Sequence, residues 1–191
     1  MKIVLHGLCI AVAAGSLSLS GGAVSAQALY TVILPAGEFG SKNYTEVVTS
    51  NIAAAQAFCA EIDNDSYKVD CLAERLGEIA KEIPKDSDYA EVRQILADTS
   101  KQLSDLAKAN RDPNQVRGRA VSKGEIPVST SRPLNPVKPS SLPDVNRQAR
   151  AILDNTQTLL LRSAESSESK ALQYSRIADA LGSSKVLLRS A

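Results

Sequence analysis

The chain has 191 residues, with 22 Lys and Arg against 21 Asp and Glu, a formal charge of +1 and 43% hydrophobic residues. Only 4% of the residues are aromatic and Trp is missing, so a core has to be built from Ala, Leu, Ile and Val, which suits closely packed helices. One His, one Met and three Cys leave little material for histidine-based catalysis or metal ligation.

The first 26 residues have the three parts of a secretory signal peptide. A lysine precedes an apolar stretch from Ile3 to about Leu19, and the end is rich in Gly, Ser and Ala. Small residues predict cleavage after Ala26, which makes Gln27 the first mature residue, or alternatively after Ala28. Glycines and serines interrupt the apolar stretch, so it is too short to anchor the chain across a bilayer.

Cleavage at this site removes side chains that chemistry often requires. Met1, His6 and Cys9 all lie in the signal, so the mature chain keeps two cysteines and no histidine. Catalytic triads, histidine metal sites and c-type haem are thereby excluded, and no glycine-rich phosphate-binding motif is present. We expect an exported bacterial protein, periplasmic or secreted, with no cofactor and no membrane segment after cleavage.

Charge is unevenly distributed along the mature chain. Residues 29–106 hold 14 acidic and 7 basic side chains, whereas residues 107–191 hold 7 acidic and 14 basic ones. This opposition favours two halves that lie against each other within one fold. The alternatives are head-to-tail self-association and an anionic partner for the second half.

Three helical segments are predicted in an acidic region spanning residues 27–112. Apolar side chains recur at steps of three and four residues in each segment. Pro84 ends the second segment, and a capping box of Asp88 and Glu91 precedes the third. The positions that define the three apolar faces are Val48, Ile52, Ala55, Cys59 and Ile62; Val69, Leu72, Leu76, Ile79 and Ile83; and Tyr89, Val92, Leu96, Thr99, Leu103 and Leu106.

The segment 113–143 differs in composition from the rest of the chain. Six of the eight prolines lie there, among glycines, serines and basic residues. We interpret it as a Pro-rich basic linker or extended strap, not as a packed element. Pro133, Pro136 and Pro139 recur with the period of a polyproline II helix, so a ligand for an aromatic groove is the alternative to a stiff spacer.

Residues 144–191 are predicted as a basic C-terminal helical region that packs on the first. Ser141 is placed to cap this region and Pro143 suits its first turn. The apolar pattern runs to Ser163, weakens, and resumes near Leu172. The pattern leaves open whether the region forms one bent helix or two.

Cys59 and Cys71 lie at equal distances from Asp65, in the turn expected between the first two helices. Residues equidistant from the turn of a helical hairpin come opposite each other. Because an exported chain meets an oxidising compartment, we expect a disulfide between these cysteines. A redox-active pair is the alternative, but in such pairs two residues usually separate the cysteines, at the start of a helix.

Acidic side chains at the same turn give a weak calcium candidate. Taking Asp63 as the first position of an EF-hand loop places Asp65 third and Glu74 twelfth. Lys68 stands where that loop needs glycine, and helix capping explains acidic residues at a turn without a metal. We therefore expect no metal site.

Together these patterns predict an all-α protein: a small helical bundle of four to five helices, with coiled-coil-like apolar faces, a disulfide-linked N-terminal helical hairpin and a Pro-rich extended linker. No catalytic residue stands out, and scattered bases with few aromatics argue against nucleic acid as a partner. We expect a non-catalytic interaction or structural protein that binds an unidentified protein partner or itself. The alternatives are a carboxylate-dependent hydrolase of the cell envelope, with two facing carboxylates in a cleft, and a small-ligand or calcium-binding module.

Overall fold

The fold is all-helical over the residues that the computed structural model describes, which are 42–123, 127–164 and 168–189. These residues form five α-helices and no β-strand, as the sequence predicted: α1 (Lys42–Ala60), α2 (Lys68–Glu82), α3 (Ala90–Ala109), α4 (Leu142–Ser163) and α5 (Glu168–Leu187). The expected signal peptide, with cleavage after Ala26 (before Gln27) or after Ala28, lies outside the described residues. None of the helices in the described ranges combines the length and the hydropathy that crossing a bilayer requires.

The helices pack around one core in the order in which they follow along the chain. Each helix contacts the next, and α5 returns to contact α1, so the five helices form a closed ring. Every helix contributes fully buried side chains to this core, among them Ile52, Leu72, Leu96, Leu153 and Leu181. The apolar positions predicted for α1 to α3 are buried, except Ile62 and Leu106, which are partly buried.

The expected disulfide joins Cys59 of α1 to Cys71 of α2, with 5.8 Å between the two Cα atoms. Between the helices, the Asn64 side chain accepts a hydrogen bond from the backbone N–H of Ser66, at 3.0 Å, and begins a short 3-10 turn. Such a side-chain bond satisfies a donor that the turn would otherwise leave unpaired. The pairing of the cysteines is therefore confirmed.

Two predicted helix starts differ from the structure in their capping. Tyr89, not the predicted Asp88, occupies the position before α3, and its side chain makes no capping hydrogen bond. The Glu91 side chain accepts hydrogen bonds from Lys170 and Tyr174 of α5. Ser141 does precede α4, but its side chain makes no capping hydrogen bond either.

The C-terminal region forms two helices. Helix α4 ends at Ser163 and α5 begins at Glu168, and the two contact each other along their lengths. The question that the sequence left open is thereby answered for the described residues.

The Pro-rich segment packs on the bundle, contrary to the expectation of an unpacked linker. Three isolated antiparallel bridges, Arg111 with Val137, Gly118 with Leu134 and Val121 with Ser129, fold it into an irregular hairpin. We call residues 111–123 the outer limb and residues 127–138 the inner limb. The two limbs together are called the strap. The inner limb is buried at Thr130, Leu134, Asn135, Pro136 and Val137. Local composition could not reveal this packing, because it depends on partners in α2.

Candidate functional site

Three carboxylates of α2 face the inner limb. Asp70, Glu74 and Glu78 follow one another at steps of four residues, which places them along one face of the helix. Asp70 and Glu74 are buried, and Glu78 is half-buried. We call this row the acidic ladder, and each of its members contacts the inner limb through a hydrogen bond.

Asp70 is fully buried and accepts hydrogen bonds from three residues. Both terminal nitrogens of Arg132 donate to its carboxylate at 2.7 Å, in the two-pronged arrangement that guanidinium and carboxylate groups favour. Asn135 donates its backbone N–H at 2.6 Å and its side-chain amide at 2.8 Å, and the Ser104 hydroxyl of α3 donates at 3.2 Å. These bonds satisfy a buried charge that would otherwise be costly. The hydrogen bonds between Arg132 and Asp70 raise the pKa of Arg132.

Glu74 forms the second rung of the acidic ladder. Its buried carboxylate pairs with the guanidinium of Arg75 and also accepts the backbone N–H of Ser131 at 2.7 Å. The guanidinium of Arg75 lies over the ring of Phe58, 5.1 Å from its centroid, as in a cation–π contact. Glu74 and Arg75 therefore fix the inner limb against α1 and α2.

Glu78 lies at a cleft of about 280 Å³, the place where a carboxylate hydrolase would need its catalytic pair. The cleft is lined by Ala55, Arg75, Glu78, Ile79, Glu82, Ser129 and Ser131. Burial raises the pKa of Glu78, but hydrogen bonds from Lys81 and Ser131 outweigh burial and leave that pKa below its usual value. A general acid needs a carboxyl with a raised pKa, so Glu78 is poorly suited to protonate a leaving group.

The structure does not bring the calcium candidates together. Asp63 is exposed, Asp65 forms an ion pair with Lys68 at 2.5 Å, and Glu74 is held by Arg75. Over the described ranges, no group of three or more His, Cys, Asp or Glu side chains is arranged to hold a metal ion. Ion pairing engages Asp65 and Glu74, and Asn64 supplies the side-chain cap at this turn.

A second polar cluster joins the N-terminal ends of α1, α3 and α5. The Tyr89 hydroxyl donates to the side-chain oxygen of Gln173 at 2.5 Å and lies 3.0 Å from the hydroxyl of Thr45. The rings of Tyr44 and Tyr89 are 4.2 Å apart at their centroids. Burial raises the pKa of Tyr89, so this hydroxyl stays protonated at neutral pH and ties the helix ends together.

The residues that hold the strap were missed by the sequence interpretation. Arg132 and Asn135 lie 62 and 65 positions after Asp70, and no local pattern links them to it. Three carboxylates at four-residue steps on an amphipathic helix usually form a solvated face, so this row gave no sign that it would be buried. The only signal was the excess of basic residues in the second half of the chain, which could supply partners of opposite charge for these carboxylates.

The exposed surface of the strap is basic. Arg111, Arg117, Arg119 and Lys123 of the outer limb are all exposed. Arg119 donates to the backbone oxygen of Thr130 at 2.6 Å, which fastens the outer limb to the inner one. The strap therefore presents bases outwards while Arg132 points inwards to Asp70.

Comparisons with protein-family models, with curated proteins and with solved structures found no match for this chain. Function therefore has to be inferred from the site itself, since a helical fold alone is compatible with many activities.

Proposed function

We propose that this protein is an exported, non-catalytic interaction protein whose helices hold the Pro-rich strap as a rigid outer surface. One observation carries the proposal: the acidic ladder is engaged in holding the strap. Asp70 is neutralised by Arg132, Glu74 is neutralised by Arg75, and Glu78 accepts from Ser131. Ionisable groups that are paired and hydrogen-bonded in this way stabilise a structure and are poorly placed to exchange protons with a substrate.

Export is part of this proposal. The signal-like start provides the route, and the buried disulfide between Cys59 and Cys71 supports an oxidising destination. We expect the mature protein, taken from the periplasm or medium, to begin at Gln27 and to contain no free thiol. N-terminal sequencing and mass measurement without reductant test both statements.

The hydrolase alternative makes a separate demand on the cleft. Glu78 and Glu82 are the carboxylates that line it. A lowered pKa at Glu78 fits a carboxylate that stays ionised, and no observation on Glu82 favours catalysis. We expect purified protein to release no new reducing ends from cell-envelope polysaccharide. Release that Glu78→Gln abolishes would replace the interaction proposal with the hydrolase.

Chemical crosslinking in intact source cells, followed by mass spectrometric identification, tests the interaction itself. We expect one or a few discrete adducts between this protein and another exported protein. The test variant is Asp70→Ala, in which the strap loses its buried anchor and the adducts should weaken. Recovery of the monomer alone from intact cells would contradict the proposed function.

A further inference from the structure

Within the described residues, the outer limb has an edge at Arg117, Arg119 and Val121 whose backbone groups make no hydrogen bond. Gly118 and Ala120 accept hydrogen bonds from the inner limb, and Ser122 donates one to it. In an antiparallel pair, alternate residues direct their N–H and C=O groups to opposite edges. The backbones of Arg117, Arg119 and Val121 accordingly make no hydrogen bond within the described part of the chain.

The same alternation sorts the side chains of the outer limb. Gly118, Ala120 and Ser122 are half-buried, and Ala120 packs against the cluster around the disulfide. The odd-numbered positions 117, 119, 121 and 123 are exposed and carry three bases and a valine. The free backbone edge and the basic side chains therefore belong to the same residues.

Among the described residues, the exposed bases of the outer limb form no ion pair with an acidic side chain. Nine ion pairs are formed among the described residues, and none of them includes Arg111, Arg117, Arg119 or Lys123. A second copy of the chain is a poor occupant of this edge, because pairing two such limbs would bring like charges opposite each other. Nucleic acid could neutralise the bases, but it cannot satisfy a strand-like edge of N–H and C=O groups.

We infer that the outer edge of the strap, at residues 117–123, binds an acidic, extended segment of another protein by addition of a strand. Backbone hydrogen bonds to Arg117, Arg119 and Val121 supply affinity, and carboxylates opposite the bases supply selectivity. The acidic ladder holds the inner limb, and with it the outer edge of the strap, in place before the partner binds. This preorganisation lowers the entropic cost of binding. This inference rests on the proposed interaction function and names its site and its partner's chemistry.

A short synthetic peptide in which Glu alternates with Val is the probe, added to the disulfide-bonded full chain. Titration should be followed by amide NMR, with hydrogen exchange measured in the bound state. We expect the amides of Arg117, Arg119 and Val121 to shift and to gain protection from exchange. A peptide with Lys in place of Glu should bind at least about tenfold more weakly.

Backbone N-methylation of the peptide separates strand addition from simple charge attraction. Methyl groups on one of the two alternating sets of amides should weaken binding about tenfold, and methyl groups on the other set should have little effect. Equal effects of the two sets would overturn the strand-addition inference. Binding of single-stranded DNA at the same bases without protection of the three amides, and without peptide binding, would also overturn it.

Charge reversal tests the location of the peptide. The double substitution R117E/K123E should weaken peptide binding about tenfold, whereas the matched reversal K85E/R176E on exposed helix and loop positions should not. Neither Arg117 nor Lys123 supports a described internal contact, so the variant should keep the wild-type amide spectrum elsewhere. If R117E/K123E binds like wild type while crosslinking in cells still yields a partner, this inference fails and the proposed function stands. If no partner is captured, the proposed function fails as well.

Discussion

Asp70 shows how a single buried carboxylate organises the strap. It receives the guanidinium of Arg132, two donors of Asn135 and the hydroxyl of Ser104, so two helices and the inner limb meet at one group. The Arg132 side chain keeps 33% of its surface exposed, whereas Asp70 has none. Loss of Asp70 should therefore lower the free energy of unfolding more than loss of Arg132.

Asp70→Ala should lower the free energy of unfolding by about 3 kcal/mol, because it leaves buried donors and a guanidinium without their acceptor. Arg132→Ala should cost less, about 2 kcal/mol, since Asp70 keeps both donors of Asn135. Urea unfolding followed by circular dichroism measures both values. The matched control is Asp144→Ala, whose exposed pair with Arg147 should contribute under about 1 kcal/mol. Equal losses for Asp70→Ala and Asp144→Ala would contradict the role given to Asp70.

Glu91 connects acid stability to the side-chain hydrogen bonds between α3 and α5. Burial raises its pKa, but hydrogen bonds from Ser163, Lys170 and Tyr174 outweigh burial and leave the pKa below its usual value. A lowered folded-state pKa contributes stability above the unfolded-state pKa, and this contribution is lost as pH falls through the folded-state pKa. We expect the free energy of unfolding to fall below about pH 4, the range in which unfolded Glu titrates.

The substitution Glu91→Gln should reduce the slope of stability against pH in this acid range, because the side chain no longer titrates. Urea titrations at a series of acid pH values measure the slope. An unchanged slope in the variant would show that the contacts of Glu91 do not couple to protonation.

Helices α2 and α3 approach closely at Gly77. A β-carbon at this position would lie 2.7 Å from the hydroxyl oxygen of Ser100, which itself donates to the backbone oxygen of Ala73 at 2.6 Å. Gly77 therefore serves packing between helices, although glycine lowers helix propensity.

A double-mutant cycle tests this contact. Gly77→Ala should destabilise the protein, or gain less than helix propensity predicts, because Ser100 has to move from its bond. In a Ser100→Ala background the same substitution should be more favourable by about 1 kcal/mol. Thermal unfolding of the four proteins measures the coupling, and simple additivity would contradict the close approach.

The disulfide constrains α1 and α2 at the turn between them. Its two cysteines are 12 positions apart, and a loop of this size should contribute about 3 kcal/mol by restricting the unfolded chain. The double substitution C59S/C71S should lose at least that amount, since buried serine hydroxyls would replace sulfur beside Phe58 and Leu134. Urea unfolding of the reduced wild type and of the variant separates the two effects. If the variant were as stable as the oxidised wild type, the disulfide would have no stabilising role.

The elements differ in how far the sequence predicts them. The apolar faces of α1 to α3 follow from steps of three and four residues, because helix periodicity is local. The packing of the inner limb does not, because Asp70 and Arg132 are 62 positions apart. The residue before α3 is Tyr89 and not the predicted Asp88, and the long-range contact of Glu91 with Lys170 of α5 was not predicted either. Local patterns thus determine which residues are helical, and long-range polar pairs determine how the strap lies.

At the scale of the whole molecule, the acidic first half and the basic second half meet in part within the fold. The ion pairs of Asp70 with Arg132 and of Glu91 with Lys170 both cross between the halves. The bases of the outer limb lie on the second half and form no ion pair among the described residues. Neutralisation inside the fold is therefore incomplete, and the basic excess is concentrated on the strap.

Site-specific photocrosslinking in the source cells tests the proposed interaction most directly. A photoreactive side chain at Val121 lies on the exposed outer limb, and one at Asp179 on the exposed side of α5 is the matched control. We expect a discrete adduct with another exported protein from position 121, little adduct from position 179, and loss of the adduct in R117E/K123E. Absence of any adduct from either position, with the folded protein present in the envelope, would contradict the interaction function.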